Sequence, residues 1–327
     1  MTALRIGVLG AAAIAPNALV KPARDVDGVS VTAVAARDPR RAGAFAAKHG
    51  IPTVHESYAA LLADPELDAV YIPLPNSHHA QWTLAALAAG KHVLCEKPFT
   101  ANAAEAERVA DAAEASGLVV MEAFHYRYHP LAHRVRALLD AGAVGRIRHV
   151  EASLCFPLPQ RSDIRYQLDL AGGATMDAGC YPIHALRSFG PGEPRVVDAR
   201  ARLRGAGIDR YTTASFAYPN GATGRMTASL WSARLLSIGL RITGDAGEIR
   251  VFNYVLPHGY HRLTVRSGGT TRRERVPGEA SYTYQLRAFA AAVRDDAPVL
   301  TTPRDAVVTM RLIDDVYRAA GLSPRGA

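Results

Sequence analysis

Long apolar runs are missing from this 327-residue chain. Nowhere do roughly 20 apolar residues follow one another, the length a helix needs to cross a bilayer, so no membrane partner is expected. The apolar stretch at residues 1–10 is too short for a signal peptide and reads instead as a first strand. Cysteine is scarce as well. Cys95, Cys155 and Cys180 stand apart with no C-x-x-C among them. That excludes a disulfide framework and a structural zinc site, and it fits a reducing cytoplasm. No H-E-x-x-H occurs. His125, His129 and His133 recur every four residues, but Pro130 interrupts any helix that would align them. They are expected to line a cleft or face solvent, and no metal is expected. The net charge is +8, yet the basic residues are scattered, without basic tails or interleaved aromatics. A solvated arginine-rich surface and a small anionic ligand account for it, so nucleic acid is not an expected partner.

Hydrophobic residues make up 49% and charged residues 21%, the balance of an ordinary globular protein. The length favours two domains over one. In the first third, short β-branched runs (5–9, 31–35, 52–54, 69–72, 91–95 and 118–121) alternate with alanine-rich helical stretches, the pattern of βαβ units on a parallel sheet. Ser77 is placed to cap a helix running to Ala89, and Asn102 another running to Ser116, each closed by a glycine. Near Glu122 the pattern changes. A helix over 130–141 is followed by longer alternating segments at 147–156, 196–204, 212–218, 224–231, 238–243, 249–252 and 262–266. Asn220-Gly221 and Asp245-Ala246-Gly247 mark turns between such runs, which argues for antiparallel pairing. Two helices complete the chain, one over 284–294 and one capped by Thr302, with Pro303 in its first position and Asp305 closing the cap. The expected architecture is α/β: an N-terminal doubly wound parallel sheet of the Rossmann kind (1–122) and a C-terminal α/β domain with an open, mostly antiparallel sheet (123–327). The two are expected to pack closely around a cleft, with the last helix returning to the first domain.

The first strand leads into Gly10-Ala11-Ala12-Ala13-Ile14-Ala15. Against G-x-G-x-x-G, the first glycine is present and the other two are Ala12 and Ala15. Alanine suits the third position, which serves helix–strand packing, but at the second its Cβ limits approach to a pyrophosphate. The end of the second strand adds to this. An NAD site calls for an acidic residue there to bond the ribose hydroxyl. Here the tip is Arg37, followed by Asp38, with Arg41 one turn on. A guanidinium fork matches a phosphate, which points to NADP(H) over NAD(H), although Asp38 remains within reach of a ribose.

Lys97 follows an apolar strand, between Glu96 and Pro98. Ligands of doubly wound sheets bind beyond the strand C-termini, so a lysine there is placed for chemistry, although a lone lysine after a strand is more commonly a surface group. The stretch Gly172–His184 holds Asp177, Tyr181 and His184. On a helix, Asp177 and Tyr181 stand four apart on one face and His184 continues it. Pro182 predicts a kink or break near Tyr181. The same residues also suit a buried tyrosine satisfied by a neighbouring aspartate.

Five motifs in this order resemble the Gfo/Idh/MocA oxidoreductases: G-V-L-G-x-A-x-I-A from Gly7, L-P-N-S-x-H from Leu74, A-G-K-H-V-L-C-E-K-P from Ala89, E-A-F-x-Y-R-x-H-P from Glu122, and G-G-A-x-x-D-A-G-C-Y-P-I-H from Gly172. Tyrosine at 181, where many members have histidine, resembles the branch with glucose–fructose oxidoreductase, dimeric dihydrodiol dehydrogenase, xylose dehydrogenase and deoxysugar 3-ketoreductases, which mostly uses NADP. The resemblance implies an NADP-dependent dehydrogenase or ketoreductase acting on a carbohydrate or diol, as a homodimer or homotetramer. Lys97, Tyr181 and Asp177 would be catalytic. Cofactor contacts would come from Gly10, Ala12, Ala13, Ile14, Arg37, Asp38, Arg41, Pro73, Leu74, Asn76, His79, Glu96, Lys97 and Arg127. Substrate contacts would come from Lys97, Arg165, Asp177, Tyr181 and His184. The Lys97–Pro98 peptide would be cis. A non-catalytic cofactor or sugar sensor on the same fold is the alternative, since fold alone does not fix function.

Overall fold

The computed structural model describes residues 3–233 and 235–326, and the chain divides into two compact units. The first takes in the residues up to Tyr128 together with Ala280–Val307, and so extends past the 1–122 span read from the sequence. Its strands and helices follow in order: β1 (Leu4–Leu9), β2 (Val29–Ala35), α1 (Pro39–His49), β3 (Thr53–His55), α2 (Tyr58–Leu62), β4 (Ala69–Ile72), α3 (His79–Ala88), β5 (His92–Cys95), α4 (Ala103–Ser116) and β6 (Val120–Glu122). All six strands are parallel, in the order β3-β2-β1-β4-β5-β6. The order reverses between β1 and β4, the switch point at which open α/β sheets bind ligands.

Local signals account for the helix ends. Asn102 caps α4 by accepting the Glu105 N–H at 3.0 Å, and Gly117 closes it at φ +65°. Ser77 does not cap α3: a turn of 3₁₀ helix over Asn76–His78 comes first, and the Ser77 hydroxyl lies 3.3 Å from the His78 ring instead. The core beneath the sheet gathers Ile6, Val8, Val34, Tyr71, Leu94 and Met121. Tyr282, Leu286 and Phe289 of helix α7 (Ser281–Asp295) join them. That apolar stripe is why the helix belongs to this unit although it lies about 150 residues further along the chain.

The second unit comprises His129–Glu279 and the residues from Val308 on. It holds α5 (Pro130–Asp140), β7 (Ile147–Cys155), α6 (Cys180–Phe189), β8 (Arg195–Leu203), β9 (Asp209–Ala217), β10 (Thr223–Ser229), β11 (Ser237–Gly244), β12 (Gly247–Phe252), β13 (Arg262–Ser267) and β14 (Thr270–Glu274). Helix α8 (Pro303–Ala319) enters this unit at Val308, and its start is capped as expected, by the Thr302 hydroxyl on the Asp305 N–H at 3.2 Å. The eight strands form one sheet in the order β14-β13-β12-β11-β7-β10-β9-β8, antiparallel throughout except for the parallel β7–β10 pair. Asn220 and Gly221 make the β9–β10 turn: Gly221 takes φ +83° and Asn220 accepts the Ala222 N–H.

Candidate active site

The first unit sets its candidate residues at the C-terminal ends of its strands. At the end of β1, Gly10 has φ +114°, and a Cβ there would lie 3.0 Å from Leu74 Cδ2. The left-handed backbone is what demands glycine, while the Leu74 side chain would need to shift only slightly. Its N–H donates to the Ala35 carbonyl at 2.7 Å, which ties the loop to the end of β2. Ala12 is half-buried, Ala13 and Ile14 are exposed, and the segment then enters a π turn over Pro16–Val20, where the alanine-rich sequence predicts an α-helix. Pro16, lacking an N–H, sits at the first position of that turn.

Arg37, Asp38 and Arg41 are all exposed at the end of β2. The Asp38 carboxylate caps α1 by accepting the Arg40 N–H at 2.9 Å. Arg41 reaches the Ala11 carbonyl, with Nη2 at 3.5 Å. Tyr58 joins this cluster. Burial raises the pKa of its phenol, while a hydrogen bond from the Arg37 backbone and the charges of Arg37 and Arg41 act the other way. Two guanidinium groups and a phenol therefore gather beside the Gly10 loop.

At the ends of β4 and β5, His79 is buried, with Nδ1 2.8 Å from the Pro98 carbonyl and Nε2 2.8 Å from the Leu74 carbonyl. Burial pushes its pKa down to about 4 against the pull of the two carbonyls, and the charge of Lys97 lowers it further. A neutral imidazole donates through one nitrogen only, so the ring hydrogen-bonds one of these carbonyls and packs against the other. Its role here is to brace the segment of Pro73, Leu74 and Asn76 against the loop after β5. Glu96 is buried and accepts the Tyr71 hydroxyl at 2.7 Å, and one of its carboxylate oxygens lies 3.3 Å from the Lys97 N–H. Burial, and then the Glu96 charge, hold the Tyr71 phenol well above its usual range, so it stays a donor. Lys97 is half-buried and its peptide to Pro98 is cis. Arg127 is half-buried in a 3₁₀ turn over His125–Tyr128.

In the second unit, the segment carrying Asp177 and Tyr181 is a π turn over Thr175–Gly179 that passes directly into α6. The irregularity expected near Tyr181 is present as this π turn, not as a break at Pro182. The irregularity precedes Tyr181, and the helix continues through Pro182, which lies in the first turn of α6, where no intrahelical N–H is needed. A π turn closes i→i+5, so the four-residue alignment of an α-helix does not hold between Asp177 and Tyr181. Tyr181 is 6% exposed and His184 1%. Asp177 forms an ion pair with Arg165, Oδ2 to Nε at 2.8 Å. Asp163 also contacts Arg165, through Nη1 at 3.2 Å. These two carboxylates, Asp177 foremost, raise the pKa of Arg165 against the effect of its burial. The preceding loop is strapped to the sheet: the Phe156 and Leu158 N–H groups bond Ser229 and Leu230 carbonyls, and Tyr166 donates to the Leu158 carbonyl at 2.9 Å.

The three histidines at intervals of four share no helical face. His125 lies in the 3₁₀ turn and bonds Ser281 at 2.8 Å, and His129 caps α5 by accepting the Leu131 N–H at 3.0 Å. Both are buried, where the sequence reading has them in a cleft or in solvent. Among the described residues no group of three or more His, Cys, Asp or Glu side chains is arranged to hold a metal, the three cysteines are buried and form no disulfide, and no helix is long and apolar enough to cross a membrane. Sequence reasoning missed Tyr58, Tyr71 and Asp163. Of these, only Tyr71 leaves a trace in the sequence, as a phenol in a fully buried Ala-Val-Tyr-Ile strand.

Residues 4–124 match the model of an oxidoreductase family with an NAD-binding Rossmann fold, and residues 132–250 match that of the GFO/IDH/MocA C-terminal domain. The chain belongs to the Gfo/Idh/MocA oxidoreductase family. Like its relatives in this family, it is an enzyme of the dehydrogenase and ketoreductase kind. It is 39% identical over 318 residues to a D-xylose 1-dehydrogenase (NADP(+)) of Haloferax volcanii, spanning 97% of each chain. It is 38% identical over 303 residues to a dTDP-3,4-didehydro-2,6-dideoxy-alpha-D-glucose 3-reductase of Streptomyces violaceoruber, spanning 89% of this chain and 86% of that one. Among solved structures, the 3-ketoreductase KijD10 from Actinomadura kijaniata, in complex with NADP and TDP-benzene, superposes with a TM-score of 0.90 at 32% identity, over 97% of this chain and 98% of that one.

Proposed function

We propose that this Gfo/Idh/MocA enzyme uses NADP(H) to interconvert a secondary alcohol and a ketone or lactone on a sugar-like, nucleotide-sugar or cyclic diol substrate. The observation that carries the cofactor choice is the cluster of exposed Arg37 and Arg41 around Tyr58, beside a loop whose first glycine takes φ +114°. Asp38, the acid at that position, is already used as a helix cap. Relatives named for NADP or solved with it support the same choice.

In this reading, Gly10 turns the loop towards the cofactor while its own N–H stays on the Ala35 carbonyl, main-chain N–H groups of Ala12, Ala13 and Ile14 face the pyrophosphate, and Arg37 and Arg41 clamp the 2′-phosphate. Pro73, Leu74 and Asn76, steadied by His79, flank the cofactor with Arg127, and Glu96 bonds a ribose. When bound, the nicotinamide supplies or takes up the hydride. The chain supplies the proton. As a carbonyl is reduced its oxygen gains negative charge, so a donor has to complete it. Tyr181 donates that proton, and in the reverse direction its phenolate accepts one. A phenol of ordinary pKa about 10 yields its proton poorly, and the ammonium of Lys97, bonded to the reacting oxygen, favours the phenolate. Asp177, with its ion-paired partner Arg165, orients substrate hydroxyls.

The test follows NADPH absorbance over a panel of aldoses, dTDP-linked ketosugars and cyclic diols, with wild type and Arg37→Ala. Turnover on at least one class is expected, and Arg37→Ala should weaken NADPH binding about 10-fold or more, the scale of a charge-assisted hydrogen bond, while NADH binding changes little. Equal losses for both cofactors would overturn the phosphate clamp, and a silent panel would reject these substrate classes.

A further inference from the structure

One buried charge in the second unit lies outside the roles assigned so far. Arg325 is 2% exposed, far downstream in sequence of the segment that carries Asp177 and Tyr181. Its Nε donates to the Gly172 carbonyl and its Nη2 to Asp209 Oδ1, both at 2.7 Å, and the guanidinium lies over the Tyr317 ring at 4.1 Å. Asp209 is fully buried and takes bonds from five directions. Oδ1 accepts from Arg325 and from the Tyr317 hydroxyl at 3.1 Å. Oδ2 accepts from the Thr175 N–H at 2.7 Å and from the hydroxyls of Thr175 and Thr212 at 2.7 and 2.9 Å.

These bonds converge on the entry to the π turn. Gly172 and Gly173 donate their N–H groups to the Gln167 and Arg165 carbonyls, and Asp177 donates its own to the Gly173 carbonyl at 3.1 Å. Gly173 has φ +129°, and a Cβ there would collide with Asp209, Tyr317 and Arg325 together. The glycine pair is thus shaped around the buried charges, and Arg325 is the group that spans both sides. It holds the carbonyl of Gly172 and, through Asp209, the amide of Thr175.

We propose that Arg325 is a positioning residue, whose two-pronged bond to Gly172 and Asp209 fixes the π turn and thereby the placement of Asp177 and Tyr181. This rests on the catalytic reading given above. A guanidinium reaches two separated acceptors from different nitrogens of a rigid planar fork, whereas a lysine ammonium offers all its donors from a single nitrogen and cannot span them in that geometry, so the device requires arginine. Displacement of a catalytic group by about 1 Å can reduce a rate by about 100-fold.

The experiment compares wild type, Arg325→Lys and Arg325→Met. Arg325→Lys keeps a positive charge beside Asp209 and so preserves the fold if Arg325→Met does not. Amide hydrogen exchange is followed by mass spectrometry, alongside kcat, KM and NADPH binding. Faster exchange in the peptides covering 172–181 is expected in Arg325→Lys, with exchange elsewhere in the second unit unchanged. A fall in kcat of about 10- to 100-fold is expected with it, while the NADPH dissociation constant stays within about twofold. Unchanged exchange at 172–181 would overturn the clasp. Altered exchange with wild-type kcat would overturn its positioning role. A wild-type enzyme silent on every substrate would instead reject the catalytic reading, and the exchange measurement would still decide the clasp.

Discussion

The two units hold their candidate residues by different physical means. In the first, the main chain does most of the holding: Gly10 is fixed by its own φ, Asp38 by a helix N-terminus, and His79 by two carbonyls, while the charged ends of Arg37 and Arg41 stay in solvent. In the second, side-chain charges hold one another: Asp177 with Arg165, Arg165 with Asp163, and Arg325 with Asp209. A site built from backbone keeps its shape when an exposed side chain changes, because each orphan N–H or carbonyl retains its partner. Where such a pair is buried, as Arg325 and Asp209 are, losing one member strands the other charge away from water, whereas Arg165, with 39% of its side chain exposed, keeps access to solvent.

The sharpest way to break this contrast is Asp209→Asn. It preserves the side chain's shape but leaves the buried Arg325 guanidinium facing a neutral amide. Removing one partner of such a pair costs about 3–5 kcal/mol, and urea unfolding should show a loss of that size. A loss below about 1 kcal/mol would mean that the charges of the second unit matter no more than surface pairs.

The next effect is smaller and tests what the units share. His79 in the first and His129 in the second each have a pKa pushed down to about 4 by burial, against 6.5 in the unfolded chain. Between those pH values the unfolded chain binds protons that the native state does not. Stability is therefore complete above about pH 6.5 and falls as pH drops towards 4, by up to about 3 kcal/mol for a fully buried histidine. Melting temperatures recorded from pH 7.5 to 4.5 should show this slope, and His79→Gln should flatten it. A slope unchanged in that variant would mean that His79 is not held neutral.

The contrast also explains how much of the molecule was legible from residues alone. The parallel sheet, the later antiparallel strands, the Asn102 and Thr302 caps and the chain's family could be read because each is written in contiguous residues with a fixed period or spacing. Lys97, Glu96 and Arg37 could be placed because a strand end lies next to them in sequence. Pro182 pointed to an irregularity near Tyr181, but its form as a π turn was not legible, since the i→i+5 bonding of Thr175–Gly179 carries no residue signature. Nor was the support of that turn. Asp209 and Arg325 are 116 residues apart, and nothing in either neighbourhood announces the other. Capping misled once, at Ser77, where Pro75 allows a 3₁₀ turn to start the helix first.

The chemistry assigned to Tyr181 is tested most directly by single-turnover oxidation of enzyme-bound NADPH in Tyr181→Phe, measured beside NADPH binding to the same protein. The account predicts a rate lowered about 10²- to 10⁴-fold, the usual scale of general acid–base help, with cofactor affinity unchanged. A variant that turns over at the wild-type rate would contradict it.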